Sequence, residues 1–299
     1  MNRLKISILT ATYNRANLLP KLYESILYNL KKDINVEWLI MDDGSTDSTK
    51  NVVQKFIEQN NVEIRYFYQE NQGKMRAINN LIEEAQGDLM IECDSDDYFT
   101  KNAFETIINV FEEYENKIQD CYAFAYLKYD QTGKNMGNNF KNETSKMFDL
   151  YFKEGENGEK ALVFNSKIRK KYKYELENGE RFITEARMFH KMDEKYNIIC
   201  INEPIMICEY QTEGYTKNIN KQFIENPYGY FNYFKEILQK DMRGVSFKKR
   251  LYAIKHYIVF ATLTNQKEVV KQVNGLVNKF LVAFLDIPGK FITENKFKK

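Results

Sequence analysis

Up to residue 130 the chain alternates two patterns. Short apolar runs rich in β-formers recur at Leu4–Thr10, Val36–Met41, Val62–Tyr68, Leu89–Cys93 and Cys121–Tyr129, and each predicts a strand. Between them apolar residues repeat at helical spacing. The stripes are Leu18, Leu19, Leu22, Ile26, Leu27 and Leu30; Val52, Val53, Phe56 and Ile57; Ile78, Leu81, Ile82 and Ala85; and Phe104, Ile107, Ile108 and Phe111. Ser45 and Asp47 stand before the second stripe as helix-starting residues. This order predicts an α/β fold with a Rossmann-like, mostly parallel sheet and flanking helices. Residues 131–180 hold Gly133, Gly137, Gly155, Gly158 and Gly179 around one strand-like run, Ala161–Asn165, and predict loops with short structure. Phe182–Lys195 reads as a helix, with Thr184 as N-cap and Glu185 in the first turn. Ile198–Ile201 and Ile205–Glu209 read as strands with Pro204 between them, and from Asn226 onward the pattern is helical.

Ligands of such sheets bind beyond the carboxyl ends of the strands. Those ends are Thr10–Asn14, Asp42-Asp43, Asn71–Lys74 and Asp94–Asp97, and two of them are acidic. Converging carboxylates repel unless a cation lies between them. Hard oxygen ligands suit Mg²⁺ or Mn²⁺, which usually also take substrate phosphates. A carboxylate at the second strand end can accept a charge-assisted hydrogen bond from a nucleobase N–H. A turn followed by a helix cap explains the same Asp42–Asp47 segment, and both roles can hold together.

The 299 residues, 43% hydrophobic and 29% charged, are enough to bury a core in one large domain or two ordinary ones. No apolar run approaches the ~18 residues of a spanning helix. The apolar start is too short for a signal peptide, so the expected location is the cytoplasm. Cys93, Cys121, Cys200 and Cys208 form no CxxC pair and read as buried thiols. The net charge of +2 hides an asymmetry, because residues 214–299 carry 16 Lys+Arg against 6 Asp+Glu. Such a tail suits an anionic membrane surface, whereas no recognition motif supports nucleic acid. Its apolar stripes, from Leu251 to Phe260 and from Val269 to Leu285, fit equally a membrane interface, packing on the rest of the chain, or a second subunit.

The segments ISILTATYNRANLL (6–19), WLIMDDGSTDST (38–49), ENQGKMRAINNLIEEAQGDLMIECDSDDYF (70–99) and TEARMF (184–189) together resemble the family 2 glycosyltransferases, whose fold is GT-A. The resemblance covers about 1–130 well and 180–216 less closely. It implies a catalytic domain over 1–216, with a donor half to about 130 and an acceptor half after it, followed by a basic helical region over 217–299. It implies that Tyr13 lies against a nucleotide base, next to the backbone of the nucleotide-binding residue Ala11 and of Thr12, that Asp43 binds the base, most often uracil, and that Lys74 stands near the base and diphosphate. It implies that Asp94, Ser95 and Asp96 form the D-x-D turn, with Asp94 and Asp96 contacting the ribose and a Mn²⁺ or Mg²⁺ ion on the diphosphate. Asp97 holds the loop, and Asp42 is structural. The family's Glu-Asp pair is Thr184-Glu185 here, which implies Glu185 as general base, with Glu180 and Glu175 as competitors. Cys208–Thr216 resembles the family's loop after the catalytic helix.

The implied reaction moves a sugar with inversion from a nucleotide-sugar, with a UDP-sugar favoured, to a hydroxyl of a saccharide or lipid-linked acceptor. Cell-surface polysaccharide assembly is the implied setting. Two other readings compete. A sugar-nucleotide nucleotidylyltransferase would want a glycine-rich loop after the first strand, and ATYNRANLL has none. A catalytically inactive carbohydrate- or lipid-binding module would not need the intact D-x-D turn and carboxylate.

Overall fold

A computed structural model describes residues 4–31, 34–177, 179–209 and 219–297. In chain order the elements are β1 (Lys5–Thr12), α1 (Leu19–Asn29), β2 (Asn35–Asp42), α2 (Thr49–Gln59), β3 (Glu63–Tyr68), α3 (Lys74–Glu84), β4 (Leu89–Glu92), β5 (Tyr98–Phe99) and α4 (Ala103–Glu113). There follow β6 (Cys121–Asp130), β7 (Thr144–Ser145), α5 (Met147–Phe152), β8 (Lys160–Asn165), α6 (Ser166–Arg169), α7 (Glu185–Met192) and β9 (Asn197–Cys208). The chain ends in α8 (Ile219–Glu225), α9 (Pro227–Gln239), α10 (Phe247–Leu263) and α11 (Leu276–Phe297). It divides into two units. The first takes Met1–Tyr151, Glu156–Tyr174 and Met188–Gln211, and the second Phe152–Gly155, Glu175–Arg187 and Thr212–Lys299.

The first unit is built on one sheet of order β3-β2-β1-β4-β8-β6-β9-β5, with β7 also on β9. β1 and β2 are buried along nearly their whole length, as apolar runs covered on both faces must be. Trp38 shows how one face is filled. Its indole N–H donates to Thr10 Oγ1 at 3.0 Å, and its ring stacks with Tyr23 of α1 and Phe56 of α2. α3 packs on β1 and β2 through its own stripe, burying Met75, Ile78, Leu81 and Ile82.

The expected parallel arrangement holds for β3-β2-β1-β4 and for β6 against β9. β8 then enters antiparallel between β4 and β6, so the sheet is mixed. The runs around Pro204 form one strand, not two. β9 continues past the proline by shifting register against β6 at Tyr126–Lys128, a bulge that absorbs the missing N–H. All four cysteines are free and buried, as expected.

The second unit is helical with an aromatic core. Tyr230 stacks on Phe260 at 5.1 Å, Phe231 on Tyr257 at 5.6 Å, and Phe234 on His256 at 5.0 Å. α11 runs close along α10 at Gly289, where a Cβ would lie 2.6 Å from Ile258 Cγ2. The first expected stripe of the tail faces inward, with Ile254, Ile258 and Phe260 buried. The second divides, with Val269 and Val273 buried but Leu276, Val277, Phe280 and Phe284 exposed. Among the described residues no helix is long and apolar enough to cross a membrane.

Candidate active site

Backbone bonds carry the strand ends of the first unit to one edge. Asp43 N–H donates to Thr12 O at 2.8 Å, Gln69 N–H to Asp42 O at 3.0 Å, and Cys93 N–H to Leu9 O at 3.0 Å. The loops after β1 and β2 are then cross-linked. Asn14, at φ 52°, accepts from Thr46 N–H at 2.8 Å, and its own N–H donates to Ser45 Oγ at 2.9 Å. Asp47 accepts from Thr49 N–H at 2.9 Å at the start of α2 and from Ala16 N–H at 3.1 Å. Burial opposes the charge on Asp47, but the Thr49 hydroxyl, at 2.5 Å, and then these N–H donors outweigh it and hold the carboxyl below its usual range. Asp47 thus starts the helix as the sequence suggests, whereas Ser45 serves the neighbouring loop. The turn that leads from Asp43 into Ser45 needs Gly44, at φ 84°, because a Cβ there would lie 2.8 Å from Asn71 N.

The paired aspartates at this turn divide their work. Asp42 accepts from Ser45 N–H and from Tyr66 O–H, both at 2.7 Å, which is a structural role. Buried Asp43 accepts from Gln69 Nε2 at 2.6 Å and from the N–H groups of Gln72 and Gly73 at 2.8 Å. Three of its roughly four acceptor positions therefore shape the Asn71–Gly73 turn, and one remains on Oδ2. Tyr13 is exposed at the rim, Ala11 is half-buried, and Ser95 is buried.

The acidic turn after β4 is crowded with charge. Lys74, the first residue of α3, puts Nζ 2.7 Å from Asp94 Oδ1 and 2.9 Å from Oδ2. Burial pushes the Asp94 carboxyl up, but the Lys74 ammonium overrides it and holds the pKa low. Arg15, at 3.5 Å from Asp96, only partly offsets its neighbours. Burial, then the Asp94 and Asp97 charges, push the Asp96 carboxyl up to about 6. Asp97 is paired with Lys128 at 2.8 Å, and its N–H donates to Asp94 O at 3.0 Å, so it holds the loop. Burial alone would discharge Lys128, but Asp97 and Glu159 keep its ammonium well above the usual range.

Among the described residues no three His, Cys, Asp or Glu side chains are grouped to cage a metal by themselves. Asp94 and Asp96 nevertheless fit a hard divalent ion. They offer carboxylate oxygens, and the repulsion that raises Asp96 is what a nearby cation would relieve. Mg²⁺ commonly takes one or two carboxylates with the remaining positions on water and substrate phosphate.

Three supporting residues escape the sequence reading. Arg15 faces Asp96. Lys128 is the single charge within the apolar run CYAFAYLKY, a signal that could have marked it. Arg169 is buried against Glu92, the last residue of β4, with Nε at 2.8 Å and Nη2 at 2.7 Å. Tyr174 O–H donates to the other Glu92 oxygen at 2.7 Å. Nothing in the local pattern around Arg169 announces that brace.

In the second unit, half-buried Glu185 is the first residue of α7, and the Thr184 carbonyl accepts from Arg187 N–H at 3.1 Å. Glu180 is committed elsewhere. Its two oxygens accept from Tyr228 N–H at 2.6 Å and Gly229 N–H at 2.8 Å, anchoring the first turn of α9. Arg187 ties the same segment to α9 through Glu236 at 2.8 Å and pairs Glu177 at 3.0 Å. The Glu175 carbonyl accepts from Arg187 Nη1 at 3.5 Å. Of the loop expected at Cys208–Thr216, Tyr210–Thr216 lies outside the described residues, and Cys208 closes β9.

The family model described as "Glycosyl transferase family 2" matches residues 7–174. An uncharacterised glycosyltransferase of Mycoplasma genitalium is 36% identical over 130 residues, 42% of this chain and 42% of its own. The match thus spans less than half the length of that relative. Glycosyltransferase GlyG of Streptococcus pneumoniae is 28% identical over 217 residues, 68% of this chain and 69% of its own. Among solved structures, S. aureus TarS 1–349 in complex with UDP-GlcNAc aligns with a TM-score of 0.61 at 15% identity, covering 99% of this chain and 92% of that one. Mannosyltransferase PcManGT from Pyrobaculum calidifontis, in complex with GDP-Man and Mn²⁺, aligns with a TM-score of 0.56 at 16% identity, covering 98% and 84%. At such identities these likenesses establish the fold.

Proposed function

The chain belongs to glycosyltransferase family 2 and has the GT-A fold, and from that premise we propose an inverting transfer of a sugar from a nucleotide-sugar to an acceptor hydroxyl. The observation that carries the proposal is the gathering of Ala11–Asn14, Asp43, Lys74 and Asp94–Asp97 at one sheet edge. The base would lie by Tyr13 and use the remaining acceptor position of Asp43. UDP is the favoured nucleotide, and the complexes of TarS with UDP-GlcNAc and of PcManGT with GDP-Man support a nucleotide-sugar donor.

Lys74 would turn from Asp94 toward the diphosphate and stabilise the charge that develops on it. Asp94 and Asp96 would hold Mn²⁺ or Mg²⁺, which supplies positive charge at the diphosphate when bound. The acceptor hydroxyl attacks the anomeric carbon from the face opposite the leaving diphosphate. Glu185 takes the hydroxyl proton from its place as the first residue of α7. One displacement inverts the anomeric centre with no covalent sugar–enzyme intermediate. The acceptor is a saccharide or lipid-linked hydroxyl, met at a membrane surface in cell-surface polysaccharide assembly.

UDP release from a panel of UDP-sugars, with Mn²⁺ and a saccharide acceptor mixture, tests this reading. Wild type is expected to turn over one donor, and Asp96→Ala none with its melting unchanged. Equal turnover by both proteins would refute the placement of the donor.

A further inference from the structure

Helix α11 presents its apolar side outward. It spans 22 residues, about 33 Å at the usual rise per residue. Asn278, Val282 and Thr293 are buried along one side, where Gly289 meets Ile258 of α10. At about 100° per residue, Leu276, Val277, Phe280, Phe284, Ile287 and Phe291 fall on a continuous arc across from that side. These six are 53–87% exposed. Single exposed apolar residues are ordinary, whereas an unbroken row along a helix marks an interaction surface.

We propose that this face docks the protein on an anionic lipid surface, with α11 lying in the plane of the headgroups. Charge chooses the occupant. Residues 247–299 carry 11 Lys+Arg against 3 Asp+Glu. Two of the three acidic residues are already paired locally, Glu268 with Lys271 and Asp286 with Lys290. Lys279 and Lys290 border one side of the stripe. Lys248, Lys249 and Arg250 open α10, and Arg250 reaches Asn278 near the start of α11 at 3.4 Å.

A second copy laid stripe on stripe would bring these basic rims together with few acids to meet them. An anionic headgroup layer supplies the missing charge, while lysine stems let the ammonium groups stay in water as the phenylalanines sink. The inference rests on the lipid-linked acceptor reading for its purpose alone, and otherwise stands on α11.

The test is co-sedimentation of the full chain with vesicles of phosphatidylcholine, alone or mixed with phosphatidylglycerol. The anionic vesicles are expected to bind at least ~10-fold more tightly, falling with added salt. The double variant Phe284→Asp/Ile287→Asp should lose most of that binding while its melting and its response to UDP stay as in wild type. No binding to anionic vesicles, equal binding to neutral ones, or full binding by the variant would each overturn the proposal. A dimer dissolved by the same variant, seen by light scattering in place of vesicle binding, would overturn it in favour of a second copy. UDP stabilisation separates the two readings, since it can persist when vesicle binding fails and fail when vesicle binding persists.

Discussion

Replacing Lys128 by methionine removes the cation under the acidic turn at nearly constant volume. The Lys128 side chain is 13% exposed and that of Asp97 is 5%, so their 2.8 Å pair is largely desolvated. Glu159, 3.5 Å from Nζ and much more exposed, is a lesser partner. Breaking a buried pair from one side leaves an uncompensated charge and costs about 3–5 kcal/mol. Part of that is recovered if Asp97 takes up a proton, which its already raised pKa favours. The expected loss is therefore near ~3 kcal/mol, or roughly 5 °C in Tm for a chain of 299 residues. Adding Asp97→Asn should restore most of the loss, because both charges are then gone. Urea and thermal unfolding of wild type, the two single variants and the double variant form the assay. A loss under ~1 kcal/mol for Lys128→Met, or a double variant no more stable than the single, would refute the reasoning.

Other expectations follow from the same contacts. Glu185→Gln should keep nucleotide binding but lower transfer by about 10²–10⁴, the usual worth of a general base. Normal transfer by that variant in the UDP-release assay would remove Glu185 from the role. Glu180→Ala should cost about 1–3 kcal/mol in urea unfolding by stranding the Tyr228 and Gly229 N–H groups. Glu37 is held below its usual pKa. Burial opposes this, but the Ser7 hydroxyl, the Gln86 N–H and Lys5 outweigh it. A depressed folded-state pKa gives stability that is present above the unfolded value, about 4.3, and is lost as pH falls through the folded one. Melting followed down through that range should therefore fall more steeply for wild type than for Glu37→Gln.

The strand–helix alternation of the first 130 residues was legible because buried parallel strands leave unmistakable apolar runs. Strand order was not, since an apolar run such as Ala161–Asn165 does not say that it enters antiparallel between β4 and β6. The acidic strand ends were legible as a set. Their partners were not, because Asp97 meets Lys128 and Glu92 meets Arg169 across long stretches of chain. Glu180 and Glu185 look alike as acids near a helix start, and only the bonds to Tyr228 and Gly229 separate them. The stripe read from Val269 to Leu285 takes in a turn region before α11 and stops short of Ile287 and Phe291, and periodicity cannot say which way a stripe faces.

The most direct test of the central claim is a thermal-shift titration with UDP, GDP, CDP and dTDP, each with and without Mn²⁺. A ligand of the native state at 100 times its Kd stabilises by about 2.7 kcal/mol, which is roughly 4 °C here. The account predicts a shift of that size for UDP that requires Mn²⁺ and vanishes in Asp96→Ala. No shift with any nucleotide, or one that Asp96→Ala leaves intact, would contradict it.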